Sequence, residues 1–294
     1  MKVLLLGSDG LLGSELKKVF SSDYDITAFV RENLDITDEK EVLQKVEEIK
    51  PRIIINATGY TSVDNAESEK DLATAVNGYA VGYLAKAAQK VGALLVHYST
   101  DYVFSGNKGV GYTEDDMPAE VPSTIYGQSK LLGEMELQKN TDKFYLIRTS
   151  WVFGSGGKNF VDTMIRLGTE RDELRVVNDQ HGKPTYAVDL AKATRDLIES
   201  SAKFGIYHLT NEGDTTWYEY AKYIIGKYGT TQKWRKKEFP RIIPVNSEEF
   251  SRLHIVRGQA TPAKRPSWSI LVNTKFSHLR PWQEALKEYL NSLI

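Results

Sequence analysis

Tyr126 and Lys130 stand four residues apart in Tyr126-Gly127-Gln128-Ser129-Lys130, which opens a helical stretch running on through Leu131, Met135 and Leu137. Residues at this spacing share a helix face, so a phenol and an ammonium point the same way. A phenol can hand its proton to a carbonyl oxygen that is becoming an alkoxide, provided its pKa, about 10 in water, is brought toward working pH. A cation one turn away favours the phenolate and does that. Thr100, in Ser99-Thr100-Asp101-Tyr102, offers a hydroxyl that would hold the same oxygen from the other side. Tyr and Lys at this spacing usually mark no more than a solvated helix face. Their position behind a Ser-Thr strand end and a glycine-rich first turn points to carbonyl reduction by hydride.

That first turn is Gly7-Ser8-Asp9-Gly10-Leu11-Leu12-Gly13. The apolar run 3–6 precedes it, and Leu12, Leu16, Val19 and Phe20 follow at helical spacing. A strand, a glycine-rich turn and a helix N-terminus form a cradle for a pyrophosphate. The second strand, 24–30, ends Phe29-Val30-Arg31 with no acid. An acid there binds ribose hydroxyls, whereas an arginine suits a 2′-phosphate. Arg31 therefore favours NADP(H), with NAD(H) the alternative, and its bland reading is a solvated surface arginine. Asp35, in Leu34-Asp35-Ile36-Thr37, is placed on the adenine side. Gly59, Tyr60 and Thr61 follow the third strand, at the carboxyl end where such sheets bind ligands.

Five strands (3–6, 24–30, 53–56, 93–99, 144–148) alternate with helices, among them one opened by Asp38 and Glu41 and one over 70–90. This predicts an α/β fold: a Rossmann-type doubly wound parallel sheet with a smaller C-terminal α/β substrate-binding lobe. The division is 1–150 for the NAD(P)-binding domain, with 186–209 returning to it, and 151–294 mostly for the lobe. In the second half the pattern gives helices over 159–167, 188–198, 217–228 and 281–294, strands over 174–177 and 206–209, and a turn at 182–185. The basic run 233–241 reads as a solvated face and 257–268 as a structured loop. His97, inside a strand, reads as a satisfied core histidine.

Composition narrows the field. The 294 residues carry a formal net charge of −1 and no cysteine. That excludes disulfides, thiolate zinc sites and a cysteine nucleophile, and argues against a broad nucleic-acid surface. No stretch approaches the roughly 20 apolar residues that span a bilayer. The expected location is cytoplasmic.

The chain resembles the dTDP-4-dehydrorhamnose reductase family of extended short-chain dehydrogenases, nearly end to end. The likeness lies in the first glycine-rich turn, His97-Tyr98-Ser99-Thr100-Asp101-Tyr102-Val103-Phe104, Tyr126-Gly127-Gln128-Ser129-Lys130, and Arg148-Thr149-Ser150-Trp151-Val152-Phe153. It continues in Asn178-Asp179-Gln180-His181-Gly182-Lys183-Pro184-Thr185 and Thr261-Pro262-Ala263-Lys264-Arg265-Pro266. The resemblance implies hydride transfer from NAD(P)H to C4 of dTDP-4-dehydro-L-rhamnose. Tyr126 would protonate the oxygen, Lys130 would lower its pKa and hold the ribose, and Thr100 would position the carbonyl. Gly7, Gly10, Leu11, Leu12, Gly13, Val30, Arg31, Asp35, Ile36, Gly59, Tyr60, Thr61 and Ser99 would line the cofactor. Asp101, Tyr102 and Trp151 match positions facing the sugar, and Arg265 suits the substrate diphosphate.

Three departures stand out. Val30 replaces a frequent acid, which favours NADPH. Ser267 and Trp268 replace a small residue and an asparagine. Some members bind Mg²⁺ through acids at a dimer interface. Here only Glu15 and Asp189 come near that pattern, so no metal ligand is assigned and Glu15 reads as an exposed helix glutamate. A nucleotide sugar and a homodimer are the expected partners. Two alternatives stay open: reduction of another nucleotide-linked 4-keto-6-deoxy sugar, and a non-catalytic NADP-binding regulatory subunit.

Overall fold

The computed structural model describes residues 1–231, 234, 238–256 and 261–294. The first half alternates strand and helix: β1 (Lys2–Leu6), α1 (Leu11–Phe20), β2 (Asp25–Phe29), α2 (Glu39–Ile49) and β3 (Ile53–Asn56). A segment Lys70–Thr74 then passes through a π-helical turn, Ala75–Tyr79, into α3 (Ala80–Val91). β4 (Leu94–Thr100), α4 (Ile125–Asn140) and β5 (Phe144–Thr149) complete this half. The Asp38 carboxylate caps α2, accepting from the Lys40 and Glu41 amides at 2.9 and 3.0 Å, which is what an aspartate at that position supplies.

The second half holds α5 (Phe160–Glu170), β6 (Glu173–Val177), α6 (Ala187–Glu199), β7 (Gly205–His208), α7 (Trp217–Tyr228), β8 (Arg241–Val245), α8 (Ser247–Val256) and α9 (Trp282–Ser292). β7 returns to the first half. The main sheet runs β7-β5-β4-β3-β1-β2, all parallel. β3 and β4 are buried along their whole length, as expected for strands covered on both faces. Leu16 and Phe20 of α1 pack with Leu190 and Leu197 of α6 on one face. Val42, Leu84 and Leu137 from α2, α3 and α4 cover the other. A separate core of Phe153, Met164, Val176, Tyr220, Trp282 and Tyr289 holds the rest of the second half together. Among the described residues no helix is long and apolar enough to cross a membrane.

Several expectations are revised. The helix over 70–90 is interrupted by the π turn. β8 and α8 escape the sequence reading: β8 pairs in parallel with β6, and α8 follows it at once. Of the basic run, Lys233, Arg235, Lys236 and Lys237 lie outside the described residues, as does 257–260 of the expected loop. Glu15 is not exposed. It is 6% accessible, because α1 packs against α6, and its carboxylate accepts from Lys18 at 2.7 Å.

Candidate active site

The cofactor cradle forms where β1 gives way to α1. Gly7 has φ +76°, and a Cβ on it would lie 2.9 Å from the Ala57 carbonyl oxygen. A Cβ on Gly13 would lie 1.9 Å from the Gly7 carbonyl oxygen. Gly7 serves the turn and Gly13 the tight docking of helix on strand. Beside them opens a cavity of about 310 Å³. Gly7, Gly10, Val30, Arg31, Asp35, Ile36, Gly59 and Tyr60 all line it. Asp35 is held below the usual carboxylate range by the hydroxyl and amide of Thr37, with a smaller pull from Arg31.

The sequence reading missed Asp9, Glu32, Thr58 and Leu72 in this wall. Glu32 adjoins Arg31 and Asp9 sits in the glycine turn, so both were within reach of a local reading. Leu72 comes from a helix remote in sequence, and no local pattern marks it. Leu11, Leu12, Gly13, Thr61 and Ser99 do not line the cavity. The Ser99 hydroxyl turns inward and donates to Glu134 at 2.5 Å.

The reactive groups meet at the carboxyl end of β4. Thr124 caps α4, its hydroxyl accepting from the Gly127 amide at 2.9 Å, and this fixes the turn that carries Tyr126. The half-buried Tyr126 ring meets Tyr102 edge-on, centroids 5.8 Å apart. Loss of water contact pushes its phenol up to about 12, opposed by a bond from Thr100 and reinforced by the Asp101 charge. Lys130 donates to the Tyr98 carbonyl at 2.5 Å, and burial pulls its ammonium down to about 8.

Asp101 is 2% accessible. It accepts from the Thr100 hydroxyl at 2.9 Å. Burial pushes this carboxyl up to about 7, against bonds from Ser269 and Thr100. Arg265 pairs with Asp64 at 2.8 Å and interacts with Tyr102. Tyr126, Thr100, Asp101, Tyr102 and Arg265 therefore gather around one end of β4. Trp151 stands with the aromatics of the second half: at φ +48° it stacks on Trp217 with centroids 3.5 Å apart. Trp268 stacks on His181 at 3.7 Å.

His97 bonds Asn56 through Nδ1 at 3.1 Å. Burial first, and the Lys130 charge second, hold it well below its usual pKa, so it is a neutral core group. Asp189 is engaged by both guanidinium arms of Arg280 at 2.9 Å and by Asn211 at 2.8 Å. Among the described residues no cluster of three His, Asp or Glu is placed to hold a metal.

A glycine-rich dinucleotide cradle on a doubly wound sheet, with a tyrosine, lysine and threonine gathered at the carboxyl end of another strand of that sheet, defines a nicotinamide-dependent oxidoreductase of the short-chain type. The profile of the family described as "RmlD substrate binding domain" matches residues 1–294. The dTDP-4-dehydrorhamnose reductase of Escherichia coli (strain K12) is 39% identical over 308 residues, covering 100% of this chain and 98% of that one. The spore coat polysaccharide biosynthesis protein SpsK of Bacillus subtilis (strain 168) is 40% identical over 294 residues, covering 98% and 96%. The crystal structure of dTDP-4-dehydrorhamnose reductase from Bacillus anthracis strain Ames, in complex with NADP, superposes with a TM-score of 0.89 at 40% identity, covering 99% of each chain. The chain belongs to the dTDP-4-dehydrorhamnose reductase family.

Proposed function

We propose that this enzyme reduces the C4 ketone of dTDP-4-dehydro-L-rhamnose to dTDP-L-rhamnose, with NADPH as the preferred cofactor. The observation that carries the reading is the convergence of Tyr126 and Thr100 beyond the cradle, with Asp101 bonded to the Thr100 hydroxyl. The cradle fits a dinucleotide: at Gly7 and Gly13 any side chain would fill the space between backbone segments. When bound, the reduced nicotinamide supplies the hydride. Tyr126 protonates the C4 oxygen, Thr100 holds that oxygen, and Lys130 stabilises the phenolate left behind. Arg265 receives the substrate diphosphate by exchanging its carboxylate partner Asp64 for phosphate oxygens. NADPH is supported by Arg31 in the cavity wall and by the NADP bound to the B. anthracis relative. NADH is the secondary cofactor, since Glu32 and Asp35 in the same wall can accept from ribose hydroxyls.

The same reading carries a cofactor domain of 1–150 with 186–209 returned to it, a substrate lobe in the remainder of 151–294, a cytoplasmic location and a homodimer, the last checked by sedimentation equilibrium. A second reading, another nucleotide-linked 4-keto-6-deoxy sugar, draws on the Trp268–His181 stack and on the spore-coat relative. The deciding experiment follows NADPH oxidation with each keto sugar, for the wild type and Tyr126→Phe. Removing the acid lowers kcat on the order of 10² to 10⁴-fold while NADPH binding persists. Equal turnover by the two proteins would remove Tyr126 from the role. NADPH binding without turnover of either sugar would favour a regulatory subunit.

A further inference from the structure

Behind the reactive face of α4 lies a charge network that proton and hydride transfer do not use. Glu134 follows Lys130 by one helical turn, and Lys130, Glu134 and Arg148 are 5%, 1% and 1% accessible. Lys130 donates to the Tyr98 carbonyl and Glu134 accepts the Ser99 hydroxyl, each at 2.5 Å. The two side chains thus grip consecutive residues of β4, immediately before Thr100. Arg148 stands opposite Ser99 on β5. It engages Glu134 in a two-pronged pair, Nε to Oε1 at 3.0 Å and Nη2 to Oε2 at 2.6 Å. The guanidinium also lies over the Phe104 ring, 4.9 Å from its centroid.

A buried ion pair is a poor way to gain stability, because desolvating both charges offsets most of their attraction. What a bidentate pair supplies is direction. We propose that Glu134, locked by Arg148, is a positioning residue for the reduction: it holds the end of β4 against α4, so that Thr100 and Lys130 keep their places around Tyr126. This rests on the reductase reading above. Its charge acts in the same sense, since Glu134 opposes the burial that pulls the Lys130 ammonium down. The other titratable groups around this seam are Tyr126 on the same helix, Tyr98 and His97 on β4, the histidine held neutral by burial, His208 on β7 opposite Arg148 with Glu114 beside it, and Asp101 and Tyr102 in the turn beyond.

The test compares the wild type with Glu134→Gln and with the double variant Glu134→Gln/Arg148→Met. The single variant strands a buried guanidinium and can lose its fold. The double variant removes the guanidinium together with its carboxylate, leaving Lys130 as the buried charge whose titration reads the loss of Glu134. The double variant still binds NADPH, because its substitutions lie outside the cavity. Its kcat falls on the order of tenfold or more, and the alkaline limb of its rate profile moves down by about one pH unit, since Lys130 loses its proton earlier. A purely structural role would lower the amount of folded enzyme without moving that limb. A double variant with wild-type kcat and an unmoved limb would overturn the proposal. A wild type with no turnover would instead count against the reductase reading. The Lys130 ammonium would then be titrated by NMR in the same two proteins, and an unchanged value would overturn the positioning role on its own.

Discussion

Asp101 is buried between two hydroxyl-bearing neighbours, and among the described residues no cation pairs with it; its titration follows from that burial. Its carboxyl is raised from 3.8 to about 7, so the folded chain holds this proton more tightly than the unfolded one. The stability this contributes is complete below about pH 4 and is lost as pH rises toward 7. Asp101→Asn removes the ionisation while keeping the acceptor for Thr100. We expect the variant to unfold at a higher denaturant concentration than wild type at pH 8, by on the order of 4 kcal/mol at most, and to match it at pH 4. A wild-type advantage at pH 8 would contradict the account. Arg31 supports a separate prediction. Arg31→Ala should weaken NADPH roughly tenfold and NADH little, read by fluorescence titration; equal losses would dismiss the 2′-phosphate contact. Of the candidate site, the one-turn spacing of Tyr126 and Lys130 and the strand-end position of Thr100 could be read from the sequence, whereas the approach of Thr100 to Tyr126 depends on the fold. Glu134 has the same spacing after Lys130, yet a helix glutamate reads as solvated until Arg148, on another strand, is placed beside it.

Elements were legible where one periodicity ran without interruption. β3 and α7 follow the expected bounds because Ile-Ile-Ile-Asn and the aromatic-rich stretch after Thr216 admit one reading each. β8 was obscured by Pro244, which argues against a strand, and by the basic run before it; as a member of a two-stranded pair it can accommodate a proline. α8 did leave a signal, since Asn246 accepts from the Glu249 amide at 2.8 Å, an ordinary helix start. The π turn had none, because a Val-Asn-Gly-Tyr stretch satisfies an α-helical pattern equally well. The β1–α1 junction makes the sharpest demand of any element. Gly13→Ala places a methyl group against the Gly7 carbonyl, with backbone on both sides. We expect a loss of about 3 kcal/mol together with NADPH binding. Chemical denaturation reads the first and equilibrium dialysis the second, and a variant of wild-type stability would mean that the helix can slide.

At the scale of the whole molecule the chain crosses between its two cores more than once. Leu190, Leu197, Tyr207 and Leu209 belong to the same core as Val3 and Leu16, so the cofactor half is finished by residues that arrive late. Residues 1–150 expressed alone should therefore fail to give a cooperative unfolding transition or bind NADPH, while 1–231 should come closer to doing both; a stable, NADPH-binding 1–150 would show that α6 and β7 are dispensable. The six-stranded order could not be read from sequence, since β7 pairs with β5 across a stretch holding two helices and four short strands. The order also has a meaning in time. On the ribosome β5 emerges well before β7, and at 5–20 residues per second the gap is roughly 3–12 s. Throughout that interval the outer edge of β5 offers unpaired amides and carbonyls to any neighbouring strand. The nascent chain is then most exposed to misassembly, and most open to a chaperone, just before its sixth strand arrives.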